Sequence, residues 1–184
     1  MTFAGTVEGR DRLRLFCALT LPPEVVDALE RWQRDALRCD ARLVSREHLH
    51  ITLAFLGARR PDEVEPIAGE LHAAAAGAGP IVVSPRRYRE TGSVGMLVLE
   101  DDRGRAGGVA ADLQRRLERL GVYEPEARPW LPHVTVLRFR RPPRLRPGLP
   151  DLGSFSPSGA AVYHSLLRPG GAQYEVLSTV ALGG

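Results

Sequence analysis

The chain has 184 residues, of which 43% are hydrophobic and 26% are charged, and its formal net charge is +3. These values are typical of one ordinary soluble domain, or of two small lobes that share a core, and they exclude a chain that is disordered throughout. The longest apolar runs are short and flanked by Arg or Asp, so no segment is predicted to span a bilayer. The first residues lack the pattern of a signal peptide, and we therefore expect a cytoplasmic protein.

All 25 basic side chains are arginines, which excludes chemistry through a lysine Schiff base, a lysyl-nucleotide intermediate or a P-loop lysine. Arginine-rich surfaces attract phosphate groups, although a net charge of +3 is only a weak indication of nucleic-acid binding. The two cysteines, Cys17 and Cys39, are too few for a disulfide framework or a zinc site. We expect both thiols to be reduced and passive.

Hydrophobic periodicity and turn residues predict eight strands and three helices. The first strand is Arg12 to Leu21, and the prolines after it suit the first turn of a helix from about Glu24 to Leu37. Two strands follow, ARLVS and HLHITLAFLG, and then a helix in RPDEVEPIAGELHAAAAGAG. IVVSPRRYRE and GMLVLE form a strand pair around TGSVG, and RAGGVAADLQRRLERLG is the third helix. The last strands are PHVTVLRFRR, GAAVYHSLLR and QYEVLSTVAL, with a loop rich in Pro and Arg, residues 142–150, after the first of them.

The order of these elements contains more hairpins than strand–helix–strand units, which favours an α+β fold with antiparallel sheets over a doubly wound parallel sheet. The two halves of the chain have a similar order of elements. We therefore predict a single bilobal domain over residues 1–184, in which two pseudo-symmetric lobes form a central groove and the helices pack outside.

The sequence His-x-Thr occurs in two of the predicted strands, as His50 with Thr52 and as His133 with Thr135. Residues i and i+2 of a strand project from one face, so each histidine shares a face with its threonine. In the first copy the other residues, Ile51, Leu53 and Phe55, are predicted to point into the core. One such pair alone is a common solvent-facing pattern. Two copies at corresponding places in two lobes can form one site.

Two imidazoles and two hydroxyls that converge on one cavity suit acid–base chemistry on an anion. Histidine titrates near neutral pH, so one ring can take a proton from water while the other gives a proton to a departing alkoxide. Threonine hydroxyls can donate hydrogen bonds to phosphate oxygens. The set lacks the convergent carboxylates or thiolates of a zinc site, so no metal and no cofactor is predicted.

These residues resemble the two-histidine (2H) phosphoesterase superfamily, specifically its RNA 2′,3′-cyclic phosphodiesterase branch, long called 2′-5′ RNA ligases. The resemblance extends over nearly all of the chain, through RLFCALTLPPEV, REHLHITLAFLG, ARPWLPHVTVLRF and YHSLLRPGGAQYEVL. The chain departs from the family pattern at RLVSRE, where a tryptophan and a proline pair are usual, and at Val136, where leucine is usual.

The resemblance implies an enzyme that hydrolyses a ribose 2′,3′-cyclic phosphate and leaves the phosphate on the 2′ oxygen. It implies that His50 is the proton donor and His133 the proton acceptor, with Thr52 and Thr135 holding the phosphate. It also places Phe16 against the substrate's base and Arg138 near the phosphate. In a regular strand Arg138 faces away from His133, so reaching the phosphate requires a β-bulge or a strong twist. The partners implied are RNA with 2′,3′-cyclic phosphate ends or cyclic nucleotides, bound by a monomer.

The remaining histidines and Trp130 have less specific patterns. His48 is predicted at a turn or rim, His72 on a solvent-facing helix, and His164 on a surface strand or the edge of the groove. Trp130 is expected either to stack on RNA or to pack against a strand. The arginines of RFRRPPRLRP form either a solvated loop or a clamp for the RNA backbone; they are Arg138, Arg140, Arg141, Arg144 and Arg146.

Two other functions remain open from the sequence. The first is an ATP-independent ligase that joins a 2′,3′-cyclic phosphate end to a 5′ hydroxyl, which is the same chemistry with RNA in place of water. The second is an RNA- or nucleotide-binding module without turnover. Loss of a motif histidine would favour the second, and both histidines are present.

Overall fold

The computed structural model describes residues 12–168 and 171–182. The N-terminal segment on which the signal-peptide prediction mainly depends lies outside these residues. The elements are β1 (Leu13–Thr20), α1 (Pro23–Ala36), β2 (Arg42–Leu43), β3 (Ile51–Arg59), α2 (Val64–Ala76), β4 (Val83–Glu90), β5 (Val94–Asp101), α3 (Arg105–Arg119), β6 (His133–Arg138), β7 (Gly159–Arg168) and β8 (Gly171–Val180). This is the predicted order of strands and helices.

The strands form a sheet in the order β4-β5-β6-β3-β1-β7-β8, and β2 adds to β6. Every recorded strand pair is antiparallel. The two halves of the sheet meet where Ile51 of β3 pairs with Val134 of β6. The predicted α+β class is confirmed: an antiparallel sheet curls around a central groove between two lobes, with the helices packed outside.

Residues at the ends of α1 and at the start of α3 favour the observed helix boundaries. Pro23 lies in the first turn of α1, where its missing N–H costs no hydrogen bond, and Glu24 and Arg34 lie at the ends that suit the helix dipole. α3 follows Gly104, which has a φ of 67°, a conformation that glycine adopts without strain. The Asp101 carboxylate accepts hydrogen bonds from the first backbone N–H groups of α3, at 3.0 and 2.7 Å.

The hydrophobic core lies between the helices and the convex face of the sheet. Leu29 of α1, Leu71 of α2 and Leu113 of α3 are fully buried, as are Ile51 and Val134 at the junction of the two lobes. Each fully buried aliphatic side chain of this size stabilises the fold by about 1.5–3 kcal/mol. Packing against the core therefore fixes the junction of β3 and β6, and the opposite face of these two strands lines the groove.

Both strands that bear His-x-Thr contain a β-bulge just after the threonine. In β3, Thr52 and Ala54 face consecutive residues of β1, so Leu53 has no partner there. In β6, Thr135 and Leu137 face consecutive residues of β5, so Val136 has no partner there. A bulge adds one residue to a strand and reverses the alternation of the side chains beyond it. The residues that follow each bulge therefore change face.

The prediction that Phe55 points into the core is wrong for this reason. Its side chain is 62% exposed and lies on the groove side, whereas Ile51 and Leu53 are buried as predicted. None of the helices in the described part of the chain is long and apolar enough to cross a membrane.

Candidate active site

The register of β3 and β6 brings the two His-x-Thr pairs together. Ile51 pairs with Val134 in an antiparallel register, and these are the middle residues of the two motifs. On the groove face this register sets His50 across from Thr135, and Thr52 across from His133. The four side chains thus form a two-by-two cluster related by a pseudo-twofold axis through the Ile51–Val134 pair.

The two imidazoles are held in the same way by the backbone that precedes them. The Nδ1 atom of His50 lies 2.8 Å from the carbonyl oxygen of His48, and Nδ1 of His133 lies 2.8 Å from that of Leu131. A carbonyl oxygen only accepts hydrogen bonds, so each Nδ1 carries the proton and donates it. This fixes the tautomer of each neutral ring and leaves Nε2 to exchange protons with a ligand.

His50 differs from His133 in its surroundings. Its Nε2 lies 3.1 Å from the Thr52 hydroxyl, which donates to it when the ring is neutral. Burial, and to a smaller extent the nearby His133, His48 and Arg138, lowers the pKa of His50 to about 4. The ring is therefore neutral at pH 7 in the free protein.

The cluster lines a cavity of about 290 Å³, here called the first cavity. Its walls are Arg42, Leu43, Val44, Ser45, His48, His50, Thr52, Phe55, Val94, His133, Thr135, Arg138, Ala172 and Tyr174. Two arginines, three histidines and three hydroxyl-bearing residues of Ser or Thr are included, and these described walls contain no carboxylate. Such a lining attracts an anion and offers hydrogen-bond donors to its oxygens.

The bulge in β6 places Arg138 in the first cavity. Beyond Val136 the alternation reverses, so Leu137 is buried and the exposed Arg138 shares the face of His133 and Thr135. The carbonyl oxygen of Val136 accepts hydrogen bonds from the backbone N–H of Val44, at 3.0 Å, and from the Gln33 amide, at 2.8 Å. Gln33 is 2% exposed and also donates to the Val44 carbonyl, at 2.9 Å. A buried side chain of α1 therefore holds the bulge.

The bulge in β3 has a matching support from α3. The Gln114 amide donates to the carbonyl oxygen of Leu53, the unpaired residue, at 2.8 Å. The indole N–H of Trp130 donates to the carbonyl oxygen of Thr52, at 2.9 Å. Phe55 then lies five residues after His50, just as Arg138 lies five residues after His133, and both line the first cavity. The repeated pattern is therefore His-x-Thr-x-x-Phe/Arg rather than His-x-Thr alone.

Phe16 does not line the first cavity in this structure. It is 3% exposed, and its ring centroid lies 5.0 Å from that of His50. Tyr163 stacks on it at 4.9 Å, and Tyr174 meets it edge-on at 4.9 Å. Phe16 supports the His50 ring from behind, whereas the aromatic faces that line the first cavity belong to Phe55 and Tyr174.

Phe55 and Tyr174 were not predicted from the sequence as site residues, and His48 was predicted only at a turn or rim. His48 and Tyr174 lie in the first cavity with ring centroids 4.2 Å apart, and burial lowers the pKa of His48. The five-residue spacing from His50 was a signal for Phe55. Tyr174 has no comparable signal, because it reaches the cavity from a strand far along the chain.

Of the other residues considered, His164 and His72 lie away from the first cavity. His164 has its Nδ1 3.6 Å from the Glu175 carboxylate, and His72 lies 3.5 Å from the Ser178 hydroxyl. In the arginine run, Arg138 lines the first cavity, and the other four side chains are exposed on the loop that follows. The Glu90 carboxylate accepts hydrogen bonds from the backbone N–H groups of Arg144 and Leu145, both at 2.8 Å, and ties this loop to β4.

Comparison with known proteins gives the family. The model of the LigT-like phosphoesterases matches residues 19–87, a range that includes the first His-x-Thr pair. An RNA 2′,3′-cyclic phosphodiesterase of Thermus thermophilus is 31% identical in an alignment of 188 positions that covers 94% of this chain and 91% of that protein. The chain belongs to the LigT-like phosphoesterase family.

Other known proteins are similar to the chain over nearly its whole length. An RNA 2′,3′-cyclic phosphodiesterase of Methanocaldococcus jannaschii is 23% identical over 90% of this chain and 98% of its own. A crystal structure of a T. thermophilus protein superposes with a TM-score of 0.79 at 30% identity, covering 94% of this chain and 99% of that one. E. coli LigT in complex with 3′-AMP gives a TM-score of 0.80 at 24% identity over the same shares, which shows a common fold.

Proposed function

We propose that the protein is a phosphodiesterase that hydrolyses 2′,3′-cyclic phosphates of RNA ends or nucleotides to 2′-phosphates. One observation carries the proposal: two imidazoles with fixed tautomers share one carboxylate-free cavity with two threonine hydroxyls and Arg138. The names of the relatives in T. thermophilus and M. jannaschii support the same substrate class.

The reaction needs one proton acceptor and one proton donor on opposite sides of the phosphorus. Water attacks the phosphorus while Nε2 of His133 takes a proton from it, so that a new P–O bond forms. The bond between phosphorus and the 3′ oxygen breaks, and Nε2 of His50 gives its proton to that oxygen. Each proton transfer contributes about 10²–10⁴-fold to the rate. The assignment of donor and acceptor follows the family resemblance.

The phosphate oxygens are held by groups that do not transfer protons in this scheme. The hydroxyls of Thr52 and Thr135 donate hydrogen bonds to the two non-bridging oxygens, and Arg138 neutralises the charge that develops on them. Thr52 donates to His50 in the free protein, so substrate binding redirects its hydroxyl from the ring to the phosphate. Binding thus exchanges one hydrogen bond for another.

His50 must be protonated to act as the donor. Burial keeps its pKa at about 4 in the free protein, so the negative charge of the bound cyclic phosphate has to raise that pKa. The same negative charge stabilises the protonated ring in place of the hydration that burial removes. A bound anion and a protonated His50 therefore stabilise each other, which couples substrate binding to the uptake of the catalytic proton.

The test is hydrolysis of 2′,3′-cyclic AMP by the purified protein, with the product identified by chromatography. The expected product is 2′-AMP, formed at the same rate with and without a chelator, since both proton transfers use imidazoles. His72→Ala, in a helix away from the groove, is the control and should keep full activity. Formation of 3′-AMP, or loss of activity that zinc or magnesium restores, would contradict the proposed mechanism.

The ligase alternative is tested with the same preparation. RNA with a 2′,3′-cyclic phosphate end is incubated with a second RNA that has a 5′ hydroxyl, and the lengths of the products are compared. We expect hydrolysed ends to accumulate and joined RNA to remain a minor product, because water is in large excess over the hydroxyl. A predominance of joined RNA would reassign the reaction to ligation.

A further inference from the structure

A second cavity adjoins the first along the groove. It has a volume of about 360 Å³ and shares Thr52, Phe55 and His133 with the first cavity. Phe55 is 62% exposed and lines both, so the two cavities meet at its ring and at the reacting cluster. A ligand with its phosphate between the two histidines can therefore extend from one cavity into the other.

The second cavity contains groups that recognise nucleotides. Arg89 of β4 and Arg128 of the loop before β6 line it, and neither makes an ion pair with an acidic residue in the described part of the chain. Trp130, a half-buried residue, adds an indole ring to the wall beside the exposed ring of Phe55. One carboxylate, that of Glu126, also lines the cavity.

We propose that the second cavity binds the nucleotide that precedes the cyclic phosphate in an RNA chain, so that the preferred substrates are oligonucleotides rather than mononucleotides. This inference rests on the proposed function. In RNA, the 5′ oxygen of the terminal ribose is joined to the phosphate of the preceding nucleotide. When the cyclic phosphate lies between His50 and His133, the phosphate and the nucleoside of the preceding nucleotide extend out of the first cavity. The second cavity is the opening that adjoins it there.

Each wall of the second cavity matches one part of such a nucleotide. Arg89 and Arg128 can pair with the internucleotide phosphate, whose charge they are free to neutralise. Aromatic faces such as those of Phe55 and Trp130 suit stacking of a base, which tolerates any sequence. Glu126 repels phosphate but can accept a hydrogen bond from the exocyclic amine of a base, so we assign it to the base side of the cavity.

The experiment compares kcat/KM for 2′,3′-cyclic AMP with kcat/KM for the dinucleotide ApA that ends in a 2′,3′-cyclic phosphate. The wild type is expected to prefer the dinucleotide by about tenfold or more, a typical effect of one stacked base and one phosphate contact. The Arg89→Ala/Arg128→Ala double variant should lose this preference and hydrolyse 2′,3′-cyclic AMP at the wild-type rate. The control, Arg31→Ala/Arg119→Ala, removes the same charge from exposed positions of α1 and α3 and should keep the preference.

Equal kcat/KM values for the two substrates in the wild type would overturn the second cavity as a nucleotide site. A preference that survives in the Arg89→Ala/Arg128→Ala variant would overturn it as well. If neither substrate is hydrolysed, the proposed function fails, and binding of 2′-AMP and of ApA 2′-phosphate decides the inference separately. Tighter binding of the dinucleotide, lost in the double variant, would support it, and equal binding would overturn it.

Discussion

The amide nitrogen of Gln33 lies 2.8 Å from the carbonyl oxygen of Val136, the residue left unpaired by the bulge in β6. These two residues are separated by 103 positions in the sequence. Gln114 makes the equivalent bond to Leu53 in β3, also at 2.8 Å. Each half of the groove thus has a bulge after His-x-Thr that a glutamine from a helix supports, and the bulges turn Arg138 and Phe55 toward the first cavity.

Replacing Gln33 by Met keeps the size of the side chain and removes its hydrogen bonds. The free energy of unfolding should fall by about 1–3 kcal/mol, because the buried Val44 carbonyl loses its amide partner. Binding of inorganic phosphate should weaken as well, since the bulge that directs Arg138 loses one of its supports. Urea unfolding and calorimetric titration with phosphate measure the two effects.

Gln173→Met, at an exposed position of β8, is the matched control and should change neither quantity appreciably. A Gln33→Met protein that is less stable but binds phosphate as the wild type does would limit Gln33 to a structural role. An unchanged free energy of unfolding would show that these hydrogen bonds do not stabilise the fold.

Arg138 is expected to contribute directly to anion binding. Arg138→Gln removes the charge and should weaken the binding of 2′-AMP by about 10- to 100-fold, the usual size of a hydrogen bond to a charged group. Arg140→Gln removes the same charge two residues later, from an exposed position outside the first cavity. Equal losses in the two variants would indicate only a long-range effect of charge, and the assignment of Arg138 to the phosphate would be wrong.

The order of the elements and the facing of the two His-x-Thr pairs follow from periodicity and from the repeated motif, and both were predictable from the sequence. The alternating pattern alone did not predict the faces of Phe55 and Arg138, because it does not show where a strand takes an extra residue. Only the family resemblance placed Arg138 near the phosphate, through a bulge or a strong twist. The bulges are held by Gln33 and Gln114, which belong to helices distant in sequence. The burial of Phe16 likewise depends on Tyr163 and Tyr174, which cover it from β7 and β8.

The lowered pKa of His50 predicts a specific dependence of stability on pH. The pKa is about 4 in the folded protein and near 6.5 when the ring is free in water, so the unfolded chain takes up the proton first as the pH falls. The contribution of His50 to stability is complete above pH 6.5 and is lost as the pH falls through 4. The difference between the two pKa values corresponds to about 3 kcal/mol.

Urea unfolding of the wild type and of His50→Asn between pH 7 and pH 4 measures this contribution. The asparagine variant should lose less stability over this range, because its residue 50 does not titrate. Parallel pH dependences of the two proteins would show that the His50 ring is not desolvated in the folded state.

Ligand binding should raise the pKa of His50, which is opposite to the effect of burial. NMR titration of the histidine ring protons is expected to give a value near 4 in the free protein and a clearly higher one with 2′-AMP bound, since the phosphate stabilises the charged ring. His72, away from the groove, serves as an internal reference. If the pKa of His50 stays near 4 in the complex, this ring is the proton acceptor, and the roles of His50 and His133 must be exchanged.

The most direct test of the central claim is the turnover of 2′,3′-cyclic AMP by His50→Ala, His133→Ala and the protein with both substitutions. Each single substitution should lower kcat by about 10²–10⁴-fold, because each removes one proton transfer from the same transition state. The double substitution should cost little more than either alone, since groups that act as a unit are not additive. A His50→Ala protein with near-normal turnover would contradict the account, because the ring across from Thr135 would then be an ordinary residue of the groove.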